Sequence, residues 1–321
     1  MRFAAALVAA TVFVAIGPAF AQAPAPTAPQ TSQSSQSQVF RSGSALVALN
    51  VSVQDGTAKY VTGLQPADFA VYEDGVKQDV RFFESSAVPV DLIVLIDGSS
   101  SMSDKIQIVR DAAGGFLKTL RPGDRGAVVS FADSVSVLQP LTSDLALLDK
   151  AVQGVAAQGS TALNNAIYVS LKQFGQTARP DSDPRRQAIV VLSDGEDTSS
   201  LVTFDDVLAV ARRMGVNIYT VGLQSTFASA ARTGARRYFS ESDYAMKTLA
   251  RETGAQSFFP AAAELKGVYG TIAGELANQY SIGYVPANGH TDGRFRRVVV
   301  QVVSRPELRP RTRMGYMAGG A

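Results

Sequence analysis

The feature that most constrains the fold is a strand with no polar residue in its centre, followed by alternating helical and extended segments. Leu92–Ile96 are all apolar and lie between Asp91 and Asp97. A strand of this kind is typical of a parallel sheet that helices cover on both faces. After it, apolar residues recur at helical and then at extended spacing as far as about residue 278. The pattern predicts an α/β fold with a doubly wound, mostly parallel sheet.

Turn residues bound the helical and extended segments of this region. The first helix is predicted over 102–120, where apolar residues recur at helical spacing and Pro122-Gly123 stops the pattern. Further helices are predicted at 143–156, 162–175, 203–214, 242–253 and 262–279, and further strands at 126–131, 135–138, 187–192, 216–223 and 256–259.

Short strands are predicted on both sides of the α/β region. Three precede it, around the turn signals Asp55-Gly56 and Asp74-Gly75, and three follow it, the last near 311–316. Three short strands at either end are too few for a stable sheet of their own. We therefore predict one small β-sandwich domain, formed by residues 39–87 and 279–321, into which an α/β domain of residues 88–278 is inserted.

The N-terminal residues resemble a targeting segment rather than part of a fold. Arg2 precedes an apolar run from Phe3 to Ile16, and Ala19-Phe20-Ala21 supplies small residues at a cleavage site. We predict a signal peptide over 1–21 and export to the periplasm, the cell surface or the medium; an uncleaved membrane anchor is the alternative. Residues 22–38, rich in Pro, Ser and Gln, predict a flexible linker, and no later run is long enough to span a bilayer.

Composition excludes several kinds of site. The chain has no Cys and one His, which excludes cysteine-ligated zinc, iron–sulfur clusters and a Cys–His nucleophile pair. His290 lies in a turn-rich segment and is interpreted as an exposed loop residue rather than a catalytic base. A formal net charge of +2 does not indicate nucleic acid as a partner. Glycine-rich phosphate loops and a G-x-S-x-G elbow are also absent from the sequence.

The residues with the clearest chemistry follow the apolar strand. Asp97, Ser99 and Ser101 form the pattern D-x-S-x-S at its carboxyl end, where open α/β sheets bind ligands. Thr161 lies in G-S-T between two predicted helices, and Asp194 follows another buried strand. All five side chains offer oxygen, which Mg²⁺, Mn²⁺ and Ca²⁺ prefer. Because only two of the five are anionic, a bound cation would keep much of its charge and favour a carboxylate from outside.

This combination resembles the von Willebrand factor type A domain over about residues 88–278, with its Rossmann-like fold. The resemblance implies that Asp97, Ser99, Ser101, Thr161 and Asp194 form a metal ion-dependent adhesion site holding Mg²⁺, Mn²⁺ or Ca²⁺. It also implies a binding function in cell adhesion or protein interaction, with no catalysis, in which a protein ligand offers an Asp or Glu carboxylate to the metal.

The flanking segments resemble a secreted bacterial family related to this domain. The motif V-x-G-L-x-x-x-D-F-x-V-x-E-D-G spans Val61–Gly75, Q-Y-x-x-G-Y spans Gln279–Tyr284, and R-x-G-Y spans Arg313–Tyr316. Asn164-Asn165 departs from the family pattern, in which an acidic residue is common. This departure concerns the surroundings of the site and not its five ligands.

Other interpretations of these residues stay open. A cation with an open coordination position could serve a Mg²⁺-dependent hydrolase or phosphoryl-transfer enzyme. Alternatively, the chain is a metal-independent structural or assembly module in which the serine-rich loop only caps a helix. The acids after Asp194 are interpreted as solvated loop charges. Arginines cluster near the C-terminus, where protection of strand edges is the simpler interpretation and a surface for an anionic partner is the alternative: Arg305, Arg309, Arg311 and Arg313.

Overall fold

The computed structural model describes residues 46–85, 88–176, 185–194, 197–223 and 240–319. The predicted signal peptide and linker lie outside them. The strands are β1 Val47–Gln54, β2 Phe69–Glu73, β3 Val76–Gln78, β4 Val80–Glu84, β5 Val90–Asp97, β6 Arg125–Phe131, β7 Val135–Thr142, β8 Arg186–Ser193, β9 Asn217–Gly222, β10 Ser257–Phe258, β11 Tyr280–Tyr284, β12 Phe295–Val302, β13 Arg309–Arg311 and β14 Gly315–Met317. The α-helices are α1 Ile106–Leu117, α2 Leu145–Gln153, α3 Leu163–Gln176, α4 Phe204–Met214, α5 Glu241–Glu252 and α6 Leu265–Ala277.

A six-stranded central sheet forms the α/β part, in the order β10-β9-β8-β5-β6-β7. Neighbouring strands are parallel except β7, which is antiparallel to β6 at one edge. Every residue of β5 is buried, as its apolar sequence indicates. The predicted doubly wound, mostly parallel sheet is therefore confirmed.

Helices cover this sheet on both faces. Because side chains alternate along a strand, Leu92, Val94 and Ile96 of β5 face a core formed with α1, α2 and α6. Ile93 and Leu95 face the opposite core, formed with α3, α4 and α5. The side chains of β5 thus pack into both apolar cores, and this packing fixes the position of the end of the strand.

Two four-stranded antiparallel sheets, ordered β13-β1-β11-β4 and β14-β12-β2-β3, form the second part. Each sheet combines strands that precede the α/β region with strands that follow it, as predicted. Their inner faces share one apolar core, in which the rings of Phe69, Phe83 and Tyr280 lie 5.2–5.8 Å apart. No helix of the described residues has the length and apolarity that a membrane span needs.

Three predicted features differ from the structure. In the part of the chain that the structure describes, four strands, and not three, precede the α/β region, because Val76–Gln78 forms an additional short strand, β3, that pairs with β2. The helix predicted over 102–120 begins only at Ile106, because Ser100–Met102 forms a separate 3-10 turn. The strand predicted near 311–316 is two strands, since β13 pairs with β1 and β14 pairs with β12 in the other sheet. The chain crosses between the sheets beside Gly254, where a Cβ would lie 2.4 Å from the Arg313 backbone nitrogen.

A buried carboxylate joins the central sheet to the sandwich. Glu275 of α6 has no exposed surface. Its Oε1 accepts hydrogen bonds of 2.8 Å from the hydroxyls of both Ser52 and Tyr219. Its Oε2 accepts from Gln256 at 2.7 Å and lies 2.6 Å from Arg311 Nη2. Four segments from both parts of the molecule therefore meet at one side chain, which the sequence patterns do not single out.

Candidate metal site

Asp97 is the last residue of β5 and has no exposed surface. Its Oδ1 accepts a hydrogen bond from the Ser99 backbone N–H at 2.8 Å, and its Oδ2 accepts one from the Ser193 hydroxyl at 2.5 Å. Burial raises the pKa of the Asp97 carboxyl, and the nearby charge of Asp194 raises it further, while the hydrogen bonds from Ser193 and Ser99 oppose that rise. The carboxylate is thus fixed in direction and desolvated.

A chain of side-chain contacts runs outward from this loop. The hydroxyl oxygens of Ser99 and Ser101 lie 3.0 Å apart, and the Ser101 hydroxyl donates to Asp194 Oδ1 at 2.7 Å. Asp194 reaches the site because it follows β8, the parallel neighbour of β5. Four of the five predicted residues, Asp97, Ser99, Ser101 and Asp194, are therefore brought together at the carboxyl edge of the sheet.

Thr161 lies on the neighbouring loop between α2 and α3 and is buried. That loop is tied to the serine loop by two backbone hydrogen bonds, Ser100 N–H to Gly159 O at 3.0 Å and Gln158 N–H to Gly98 O at 2.6 Å. Within the described ranges, no hydrogen bond joins the Thr161 hydroxyl to the other four side chains. The structure thus places Thr161 on an adjoining loop and leaves its hydroxyl outside the hydrogen-bonded group.

Glycine is required at the second position of the D-x-S-x-S turn. A Cβ at Gly98 would lie 2.5 Å from the backbone oxygen of Ala156 and 3.0 Å from the Ser130 hydroxyl. Neither atom belongs to a flexible end that could move away easily. The close approach keeps the serine loop against the loop that carries Thr161.

Lys105 is a member of this site that the sequence interpretation missed. Its ammonium contacts Asp194 Oδ2, and the two side chains are only 6% and 2% exposed. Asp194 is thus shared between a hydroxyl on one oxygen and a cation on the other. The sequence shows a lysine four residues after Ser101. An isolated lysine before a helix does not indicate a role in a metal site unless its burial is known.

The loop after Asp194 is anchored to the start of α3. Asp197 accepts hydrogen bonds from the backbone N–H groups of Asn164 at 2.9 Å and Ser200 at 3.0 Å. Asn165 Oδ1 accepts from the N–H groups of Leu201 at 3.1 Å and Val202 at 3.0 Å. Asp197 is therefore a structural acceptor, and its interpretation as a solvated loop charge was wrong. Asn165, where the sequence departs from the family pattern, joins the first turn of α3 to the loop before α4.

The donor set fits a hard cation better than a soft one. Carboxylate and hydroxyl oxygens suit Mg²⁺, Mn²⁺ or Ca²⁺. No group of three or more His, Cys, Asp or Glu side chains suited to a metal occurs in the part of the chain that the structure describes. A metal here would therefore depend on the serine and threonine hydroxyls as well as on Asp97 and Asp194, and Lys105 would compete with it for one oxygen of Asp194.

The fold and this loop arrangement define a class of protein. The family model for the von Willebrand factor type A domain matches residues 91–263, more than half of the chain, so the chain belongs to that family. Domains of this family generally mediate protein–protein interaction and are typically not enzymes.

The chain is also similar to individual curated proteins and solved structures. A UPF0353 protein of Mycobacterium leprae is 26% identical over 253 residues, which cover 74% of this chain and 72% of that protein. A UPF0353 protein of Mycobacterium tuberculosis is 26% identical over 238 residues, covering 69% and 68%. Among solved structures, a von Willebrand factor type A protein of Catenulispora acidiphila covers 82% of this chain and 71% of its own at 13% identity, with a TM-score of 0.48.

Proposed function

We propose that this chain is an exported protein-binding module whose contact with its partner depends on a divalent cation. Asp97, Ser99, Ser101, Thr161 and Asp194 would hold Mg²⁺, or Mn²⁺ or Ca²⁺, directly or through water. The observation that carries the proposal is the contact chain from Asp97 through Ser99 and Ser101 to Asp194 at one edge of the sheet. Export rests on the signal-peptide pattern of residues 1–21.

The residues around the cation set its preference for a partner. When bound, the metal supplies a positive centre that attracts an outside carboxylate. Asp97 is directed by Ser193 and Ser99, while Ser101 holds one oxygen of Asp194. The three hydroxyls carry no charge, so the site would remain electropositive and take an Asp or Glu from the partner. No residue of the site is placed as a general base toward a substrate, so binding without turnover is the proposed outcome.

Titration of the chelator-treated protein with Mg²⁺ and Mn²⁺ tests the metal. We expect heat of binding for the unmodified chain and none for Asp97→Ala, because the buried carboxylate anchors the ligand set. The matched control is Asp205→Ala, an exposed aspartate in the first turn of α4, which should bind the metals unchanged. Circular dichroism of both variants shows whether the fold survives.

The partner is tested with the native cell envelope. A pull-down with the unmodified chain should retain a protein that EDTA releases and that Asp97→Ala fails to retain. Retention that persists under both treatments would contradict a metal-dependent contact. A screen of phosphoesters and peptides for turnover separates this function from a hydrolase or phosphoryl-transfer enzyme.

A metal-independent binding module is the second candidate, and one observation favours it. The Lys105 ammonium already provides a cation at Asp194, and both side chains are nearly buried. A loop held in this way could bind a partner through its shape alone. Calorimetry distinguishes the two candidates, since the metal-independent module predicts no heat with either cation.

A further inference from the structure

A cleft of about 600 Å³ lies between the two parts of the molecule, on the side of α5. One wall is formed by α5 and the segment leading into β10, and the other by β12. The segment between β13 and β14 lies along its floor. Among the described residues, its lining includes no aspartate or glutamate but five basic residues: Lys247, Arg251, Arg297, Arg311 and Arg313.

Two of these charges are already partly balanced. Arg311 Nη2 lies 2.6 Å from the buried carboxylate of Glu275, and Arg251 lies 3.8 Å from Glu252 with 61% of its side chain exposed. Arg297 is exposed on β12. The walls therefore keep an excess of positive charge around a concave surface, which concentrates its field.

The Arg313 side chain extends to Gly215, which does not line this cleft: a Cβ at Gly215 would lie 2.9 Å from Arg313 Nη1. Its Nε is buried and has no hydrogen-bond partner within the described residues, and its guanidinium lies 5.5 Å from the ring centre of Tyr316. The neighbouring Thr312 hydroxyl is also buried without a partner there. Burial lowers the pKa of Arg313, because desolvation disfavours its charge. Arg313 therefore adds positive charge beside the cleft, and ligand contacts are assigned to the exposed basic residues.

The spacing of the basic residues matches an extended chain. Lys247 and Arg251 are one turn apart on α5, a rise of about 6 Å. Alternate side chains of an extended peptide repeat at about the same distance. Acidic residues at every second position would therefore meet successive basic groups.

The wall formed by β12 also presents backbone groups to the cleft. β14 pairs with β12 only over Phe295–Arg297, while β2 pairs with Val298–Val302 on the other side. No strand in the described ranges pairs with the cleft side of β12 beyond Val298, whose N–H donates to Met314 O. Val299 is 37% exposed there. An extended segment can add to such an edge through main-chain hydrogen bonds.

We propose that this basic cleft binds an extended acidic segment of a partner protein, independently of any metal. The carboxylates would contact Arg251 and Arg297, and the main chain would lie along β12. The C-terminal arginine cluster then includes part of a binding surface, which was the alternative to strand-edge protection.

The test uses a fluorescein-labelled octapeptide of alternating glutamate and valine. The fluorescence anisotropy of the peptide is followed as the full chain is added at low salt. EDTA is present, so that the peptide cannot bind through a metal at the candidate metal site. We expect saturable binding under these conditions. The double variant Arg251→Glu with Arg297→Glu should weaken binding at least tenfold. The matched control, Arg294→Glu with Arg305→Glu, makes the same charge change outside the cleft and should bind as the unmodified chain does.

Three outcomes would overturn the proposal. The first is no binding of the peptide in EDTA, and the second is an equal loss in the cleft variant and in its control. The third is displacement of the peptide by inorganic pyrophosphate at lower concentration than by unlabelled peptide, which would show a site for small anions. Circular dichroism of the double variant, whose two changed residues are exposed, keeps loss of binding separate from loss of fold.

Discussion

At the scale of single residues, the state of the candidate metal site depends on which side chains contact the carboxylate of Asp194. Ser101 donates to one of its oxygens and Lys105 contacts the other. In a nearly buried pair, each charge depends on the other, because removing one leaves the second desolvated and unbalanced. The ammonium thus stabilises the loop as it stands and also opposes a divalent cation at the same carboxylate.

The variant Lys105→Met tests this double role, since it removes the charge and keeps most of the side-chain length. We expect Mn²⁺ to bind about tenfold more tightly, a gain of about 1.4 kcal/mol, because the competing cation is gone. The metal-free variant should be less stable by about 3 kcal/mol, because Asp194 loses its partner. Calorimetry and urea unfolding measure the two effects.

Lys118→Met is the control for this prediction, because Lys118 is 63% exposed and pairs with Asp149 at the surface. It should change neither quantity beyond about 0.5 kcal/mol. Unchanged or weaker metal binding by Lys105→Met would show that the ammonium does not compete for Asp194.

At the scale of elements, three neighbouring strands of the central sheet are held together at their amino ends. Asp91, on β5, is the carboxylate at the centre of this contact and is fully buried. Arg125 on β6 donates to it at 2.8 and 2.7 Å, and Arg185, which precedes β8, donates at 2.7 Å. Burial acts to raise the pKa of Asp91, but the two guanidinium groups outweigh it, so the pKa lies below its ordinary value.

Asp91→Asn should therefore lower the free energy of unfolding by about 3 kcal/mol at neutral pH, since two arginines lose their charged acceptor. A lowered pKa stabilises the fold above the unfolded value of about 3.9, and that stability is lost as the pH falls through the folded pKa. The difference between the variant and the unmodified chain should thus shrink below about pH 4. Urea unfolding at a series of pH values measures it.

Asp79→Asn provides the comparison, because Asp79 is 86% exposed and lies 3.5 Å from Arg81. We expect it to change stability by less than about 0.5 kcal/mol at any pH. A destabilisation by Asp91→Asn that stays constant from pH 7 to pH 3 would contradict the role of its ionised carboxylate.

At the scale of the whole molecule, Glu275 links the central sheet to the sandwich. It carries hydrogen bonds from β1 and β9 and an ion pair with β13. Burial raises the pKa of Tyr219, and the neighbouring Glu275 charge raises it further, so the tyrosine stays a donor. The same carboxylate thus satisfies donors from the central sheet and from the sandwich.

Glu275→Gln should lower the free energy of unfolding by about 3 kcal/mol, because Arg311 would lose its buried counter-charge. We also expect the thermal transition to broaden or divide, since the two parts lose a shared contact. Differential scanning calorimetry measures both. Glu307→Gln, an exposed carboxylate beside Arg305, should leave the transition intact. A sharp, unshifted transition in Glu275→Gln would show that other contacts hold the parts together.

Much of this molecule follows from local sequence patterns. The apolar run of β5 and the periodic segments after it predicted the sheet and its helices, because these patterns act over a few residues. Boundaries depended on turns that patterns do not specify, as with the late start of α1 at Ile106 and the division of the last strand into β13 and β14. Asp97, Ser99 and Ser101 were predicted from the local D-x-S-x-S pattern, and Thr161 and Asp194 from short patterns on two other loops.

Sequence patterns were thus enough to predict the α/β class, the split sandwich and the oxygen-only chemistry of the candidate site. Which polar and charged side chains contact one another depended on the tertiary fold. Lys105 and Asp194 are 89 residues apart, and Ser52 and Glu275 are 223 apart. The basic cleft likewise joins α5 to strands near the C-terminus. Such contacts arise because packing brings distant segments together and excludes water, and no period of a single segment carries that information.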